Sequence, residues 1–276
     1  MKLKYIIFAF ASVLIATILN VISYFAAFAI TVMTGGVNVL ETESALVNQG
    51  IFNVVRYLFI IVIFGCIFYR IIYYSDGASD RRESVKDSFK FVIKPLNLIL
   101  FLLAGLTIQL GTDAVLYILG TAFPTTFASY KHMMETFSGS HSPLFIITTF
   151  TLGPIAEELI FRGVTLELLL KGFENRKRAA LLSVLIQAAL FGLYHGNIVQ
   201  AVYAFIFGIL LGILAVKSKS LVPSILLHAA INGSLYLIPE NVFFSIQNAV
   251  LVGTLSITIM ISAIVILLQK YKNHVS

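Results

Sequence analysis

Eight apolar runs, separated by short polar stretches, set the pattern of this chain. They cover about Tyr5 to Met33, Phe52 to Tyr74, Pro95 to Ala122, Leu144 to Leu170, Ala179 to His195, Val199 to Val216, Leu221 to Ile238 and Phe244 to Leu268. A helix that crosses the hydrocarbon core needs roughly 20 apolar residues. A backbone in lipid must satisfy its own polar groups, which a helix does within one segment. The pattern therefore predicts an all-α polytopic membrane protein with about eight transmembrane helices, built as one membrane domain over residues 1–276. The first run begins like a signal peptide, behind Lys2 and Lys4, but is about twice the length of a usual signal core. It is read as a retained helix.

The fourth run breaks the pattern. It holds Pro154-Ile155-Ala156-Glu157-Glu158-Leu159-Ile160-Phe161-Arg162, with three ionisable groups inside an otherwise apolar segment. Each such group near the bilayer centre costs at least about 2.5–3.5 kcal/mol on insertion scales. Ionisable residues at that depth mark functional sites or buried ion pairs. Glu158 and Arg162 are four apart and share a helical face, so they are expected to pair. Glu157 points about 100° away and is left for chemistry. Gly153-Pro154, just upstream, predicts a kink where the backbone opens towards a polar intramembrane cavity.

Three later polar residues fall at similar depth. His195 ends the fifth run, and His228 and Asn232 stack one turn apart in the seventh. Counting from the nearest basic loop at about 1.5 Å per residue puts Glu157 roughly 21 Å up, His195 roughly 25 Å, His228 roughly 14 Å and Asn232 roughly 20 Å. One layer of acid, imidazole and amide suits hydrolysis. A carboxylate with a histidine deprotonates a water, and a His–Asn pair donates to a developing oxyanion. A second version sets a divalent metal such as zinc among Glu157, His195 and His228, since two His and a carboxylate form a known zinc set. The residues alone leave both versions open.

Composition and charge refine this reading. The 276 residues are 59% hydrophobic and 12% charged, with net charge +6. The basic residues lie in loops between apolar runs, which argues against nucleic acid and for topology. With the N-terminus inside and eight crossings, sixteen of the nineteen Lys and Arg fall on the cytoplasmic side, among them Arg70, Arg81, Arg82, Lys86, Lys90 and Arg176. Only Lys131 lies in an outer loop, Arg56 at an outer interface where it can snorkel, and Arg162 in the membrane. Both termini are therefore expected in the cytoplasm. Cys66, the single cysteine, rules out an intrachain disulfide and is expected to be a packing residue.

Several local features stay secondary. A polar loop with Glu41 and Glu43 follows the first run. In the charged stretch Ser75 to Lys94, Val85, Phe89 and Val92 are spaced for a short interfacial helix, against which stands a solvated loop. Asp113 is expected at a helix end or facing a cavity. Phe123 to Ser142 reads as a polar loop, and its Lys131, His132, Glu135 and His141 match no tight metal spacing. Gly208-xxx-Gly212 in the sixth run allows close helix packing.

With Glu157-Glu158-xxx-Arg162, Phe191-xxx-His195 and His228-xxx-Asn232 complete and in order, the chain resembles the CPBP family, the CAAX protease and bacteriocin-processing intramembrane endopeptidases also known as the Abi family. The motifs span about Thr148 to Leu237, inside a core of about 95–240. The resemblance implies an intramembrane peptidase of the cell membrane acting on membrane-associated peptides or lipidated proteins. It implies that Glu157 and His195 activate the water, that His228 and Asn232 bind the oxyanion, and that Glu158, Arg162 and Phe191 support them. It leaves a glutamate-dependent and a zinc-dependent mechanism side by side. The competing classes are a non-catalytic immunity or scaffold protein and a proton-coupled transporter. Substrate identity, oligomeric state and the face to which the site opens are not legible at this level.

Overall fold

In the computed structural model, the described residues are 1–35, 43–73, 84–138, 143–174, 177–239 and 241–275. They form ten helices in chain order. These are α1 (Leu3–Gly35), α2 (Glu43–Tyr73), α3 (Val85–Val92), α4 (Pro95–Ala122), α5 (Pro124–Ser138), α6 (Pro143–Phe173), α7 (Ala179–Tyr194), α8 (Ile198–Ser218), α9 (Val222–Ser234) and α10 (Ile246–Val275). Glu41, Arg81, Arg82, His141 and Arg176, singled out above, lie outside the described residues, as do the side chains of Glu43 and Glu135.

Each of the eight apolar runs has become a helix, and no strand occurs among the described residues. Six of the helices are long and apolar enough to cross a membrane, namely α1, α2, α4, α6, α8 and α10. The chain is thus a multi-pass membrane protein. The fifth and seventh runs gave shorter helices, α7 with 16 residues and α9 with 13. Pro223 starts α9 in its first turn, where a missing N–H costs nothing.

Three expectations are corrected. The polar loop between the third and fourth runs is mostly helix, since Pro124 opens α5 and no further breaker occurs before Ser138. Cys66 is exposed on the outer side of α2 rather than packed. Arg56 is not at the start of its helix, because α2 begins upstream at Glu43 and places Arg56 within the apolar window Gly50–Arg70. Its head group turns inward to Asn20 on α1 instead of reaching for an interface. Between the two readings of Ser75 to Lys94, its second half is the helix α3, capped by the Ser84 hydroxyl accepting from Asp87 N–H, with Phe91 and Val92 buried.

The helices pack around two larger apolar cores and a small third cluster of Leu166, Val184 and Ala215. One joins α1, α2, α6 and α7 through Ala9, Phe64, Phe161, Leu169 and Phe191. The other joins α3, α4, α8, α9 and α10 through Phe91, Phe101, Leu211, Leu227 and Leu267. Lipid gives no hydrophobic push between helices, so small residues set their approach. A Cβ on Gly208 of α8 would stand 2.9 Å from the Ala188 backbone of α7, and one on Gly105 of α4 would stand 2.6 Å from the Ala230 backbone of α9. Both lie well inside contact distance, so neither helix pair tolerates a side chain there. Apolar residues such as Leu14, Val62, Leu102 and Leu251 face outward, as a lipid-contacting surface requires.

Candidate active site

The site lies where the two cores meet, and α6 supplies its acids. α6 is not a regular α-helix. Residues Thr148–Leu152 and Leu159–Thr165 take the wider π register on either side of the α-helical Gly153–Glu158. Gly153 N–H donates to Thr148 C=O, five residues back, immediately before Pro154, which has no N–H to donate. The kink expected at Gly153-Pro154 is therefore absorbed as a π-bulge. A Cβ on Gly153 would stand 3.0 Å from Thr148 C=O, which favours glycine in this turn. Such bulges recur at functional sites.

Within this segment the two glutamates differ sharply. Glu158 is fully buried. Its Oε1 accepts from Arg162 Nη1 at 2.8 Å, as the four-residue spacing predicted, and from His228 Nδ1 at 2.9 Å. A carboxylate only accepts, so the His228 proton sits on Nδ1. Glu157 keeps 19% of its side chain exposed, and its Oε2 faces His228 Nε2 at 3.6 Å. That gap exceeds a hydrogen bond.

Arg162 holds the nest together. Its guanidinium lies 4.4 Å from the centroid of Phe191, and Nη2 donates to Gly208 C=O at 3.4 Å. Gln187 of α7 donates to the same carbonyl at 2.7 Å, so Gly208 ties α6, α7 and α8 to one oxygen. Phe191 also packs edge-on against His195, with centroids 4.8 Å apart, and His228 at 5.8 Å. One ring thus spaces the cation and both histidines.

The remaining motif residues line the rim. His195 caps α7, and its Nδ1 donates to Phe191 C=O at 2.8 Å, which leaves Nε2 free to meet a partner. Asn232 lies one turn beyond His228 and donates one amide hydrogen to Thr149 C=O at 3.0 Å, across to the π segment of α6. Its second amide hydrogen stays available. The histidine that reaches both glutamates is His228. Asp113, on α4, accepts from Gln109 at 2.8 Å, away from the nest.

Sequence reasoning missed Gln187, Thr149, Tyr57 and Tyr194. Gln187 carried a signal, being an amide in mid-helix at membrane depth. Thr149 contributes only its backbone carbonyl and could not be found from residue type. Tyr57 packs beside Gly153 at the start of the Glu157 turn, and Tyr194 packs edge-on against Phe161 and His195.

Residues 139–234 match the family described as Rce1-like, type II CAAX prenyl endopeptidase Rce1-like. This segment is similar to that family over 96 of the 276 residues. It contains all three motifs and every residue of the nest. No curated protein and no solved structure matches the chain.

Among the described residues, no three His, Cys, Asp or Glu side chains gather closely enough to hold an ion. Within the set Glu157, His195 and His228, His228 commits Nδ1 to Glu158 and His195 commits Nδ1 to the Phe191 carbonyl, which leaves both Nε2 atoms and the Glu157 carboxylate as the groups that would face a divalent ion. The arrangement provides an accessible carboxylate beside an oriented imidazole, with an amide donor one turn away.

Proposed function

We propose that this protein is an intramembrane endopeptidase that hydrolyses a peptide bond near the C-terminus of a membrane-associated, lipidated substrate. The observation that carries the reading is the asymmetry of the glutamates. Glu158 is consumed by Arg162 and His228, while Glu157 faces accessible space with His228 Nε2 at 3.6 Å. The match of residues 139–234 to CAAX prenyl endopeptidases supports the substrate class.

In this reading Glu157 accepts a proton from a water, and the water oxygen attacks the scissile carbonyl carbon. His195 Nε2 helps to orient that water. Asn232 and His228 donate to the oxyanion that forms. For His228 this role requires a proton on Nε2 as well as on Nδ1. When the intermediate collapses, the C–N bond breaks and Glu157 returns its proton to the leaving amine. Such general-base help is typically worth about 10²–10⁴ in rate. No step needs a metal. The loop charges support a cell-membrane protein with both termini cytoplasmic.

The test is cleavage of prenylated CAAX peptides by the purified protein in liposomes. Glu157→Gln is expected to lower the rate by about 100-fold or more while the protein stays folded. A chelator is expected to leave the wild-type rate unchanged. Wild-type activity that survives in Glu157→Gln would remove Glu157 as the base. No cleavage across a broad peptide pool would favour the non-catalytic immunity or scaffold reading.

A further inference from the structure

A second polar cluster lies on α1 and α2, outside the three motifs and outside residues 139–234. Asn20, Val21, Phe25 and Arg56 line an open depression with room for about 380 Å³. Arg56 is half-buried. Its Nη1 donates to Asn20 Oδ1 at 3.1 Å, its guanidinium lies over the Tyr57 ring at 4.4 Å, and its Nε is buried without a partner. Among the described residues no carboxylate pairs with it. The amide of Asn20 in turn donates to the Tyr194 hydroxyl.

An arginine at membrane depth without an acid is costly. Elsewhere in this protein that cost is met by Glu158. Here the charge borders an open depression. The cluster is also joined to the candidate active site. Tyr57 lies next to Gly153, at the start of the Glu157 turn, and Tyr194 immediately precedes His195. A planar guanidinium with an adjacent amide and a stacked aromatic ring suits a carboxylate.

We propose that Arg56, with Asn20, binds the C-terminal carboxylate of the substrate peptide, so that cleavage is measured from the free chain end. This inference rests on the endopeptidase reading, which puts the C-terminal residues of the substrate beside Glu157. The alternative source of an anion is a lipid headgroup.

The experiment compares a farnesylated CAAX peptide with a free C-terminus and its C-terminal amide, in phosphatidylcholine vesicles with and without phosphatidylglycerol. Cleavage is read with wild type, Arg56→Gln and Arg56→Lys. Binding of the same fluorescently labelled peptides is read by anisotropy with Glu157→Gln and with Glu157→Gln/Arg56→Gln, which requires no turnover. The free acid is expected to be preferred about tenfold or more in kcat/KM, mainly through KM. That preference should vanish in Arg56→Gln and return in part in Arg56→Lys.

Equal use and equal binding of acid and amide by the protein with Arg56 intact would overturn the proposal, whether or not Arg56→Gln folds. A preference that persists in Arg56→Gln would do the same. A rate that follows phosphatidylglycerol and ignores the peptide end would assign the cation to a headgroup. If wild type cleaves nothing yet acid binding still depends on Arg56, the carboxylate subsite stands and the endopeptidase reading falls.

Discussion

Two arginines lie inside apolar helices of this protein, and their surroundings are opposite. Arg162 on α6 is fully buried, bonded to Glu158 at 2.8 Å and stacked on Phe191. Arg56 on α2 is likewise stacked on an aromatic ring, Tyr57, but its polar partner is the neutral amide of Asn20. Both pairings rely on rings to cover the guanidinium face, which is weakly hydrated compared with an ammonium. They differ in who supplies the negative charge. For Arg162 the chain supplies it, and the result is a closed nest that orients His228. For Arg56 the described part of the chain supplies none, and the guanidinium borders an open depression. A buried ion pair organises a site, while a half-buried cation without an acid can receive one.

This contrast can be broken at its strongest point first. Arg162→Met leaves Glu158 as an uncompensated charge and is expected to cost about 3–5 kcal/mol of stability, measured by thermal unfolding in detergent. The double variant Glu158→Leu/Arg162→Met is expected to recover part of that loss, because replacing both partners by apolar groups is often near neutral. It should nonetheless stay inactive, since His228 Nδ1 then has no acceptor. A stable and active double variant would show that the nest does not orient the site.

Next in size is Gly208→Val. It drives a side chain into Ala188 and displaces the carbonyl shared by Arg162 and Gln187. About 1–3 kcal/mol of destabilisation is expected from overpacking, with loss of cleavage alongside. The smallest effect is on the other arginine. Arg56→Gln keeps a hydrogen-bond donor and orphans no acid, so a stability change under about 1 kcal/mol is expected in the same unfolding assay. A loss as large as that of Arg162→Met would make Arg56 a structural residue and erase the comparison.

Much of the architecture was legible in the chain. Length and polarity marked every apolar run, because a helix in lipid has to satisfy its backbone within one contiguous segment. The helix α4 falls on Pro95–Ala122 as read, since Pro95 fixes its first turn. The bond from Arg162 to Glu158 was legible too, since spacing along one helix fixes a shared face. The error at α5 came from polarity, which signals exposure and not the absence of helix. The error at Arg56 came from an apolar run that starts later than the helix containing it.

What the sequence determined by itself was the class of protein and the contact between Glu158 and Arg162 within one helix. Local geometry suffices for both, because 1.5 Å of rise and 3.6 residues per turn convert number into length and face. The tertiary structure decided which helices meet and how each is rotated. That put His228, rather than His195, between Glu157 and Glu158, and turned Arg56 towards Asn20. Rotation is set by close contacts such as Gly208 on Ala188 and Gly105 on Ala230, and by the π turns that shift the face of α6. Those are packing choices between distant segments, and no periodicity along one segment encodes them.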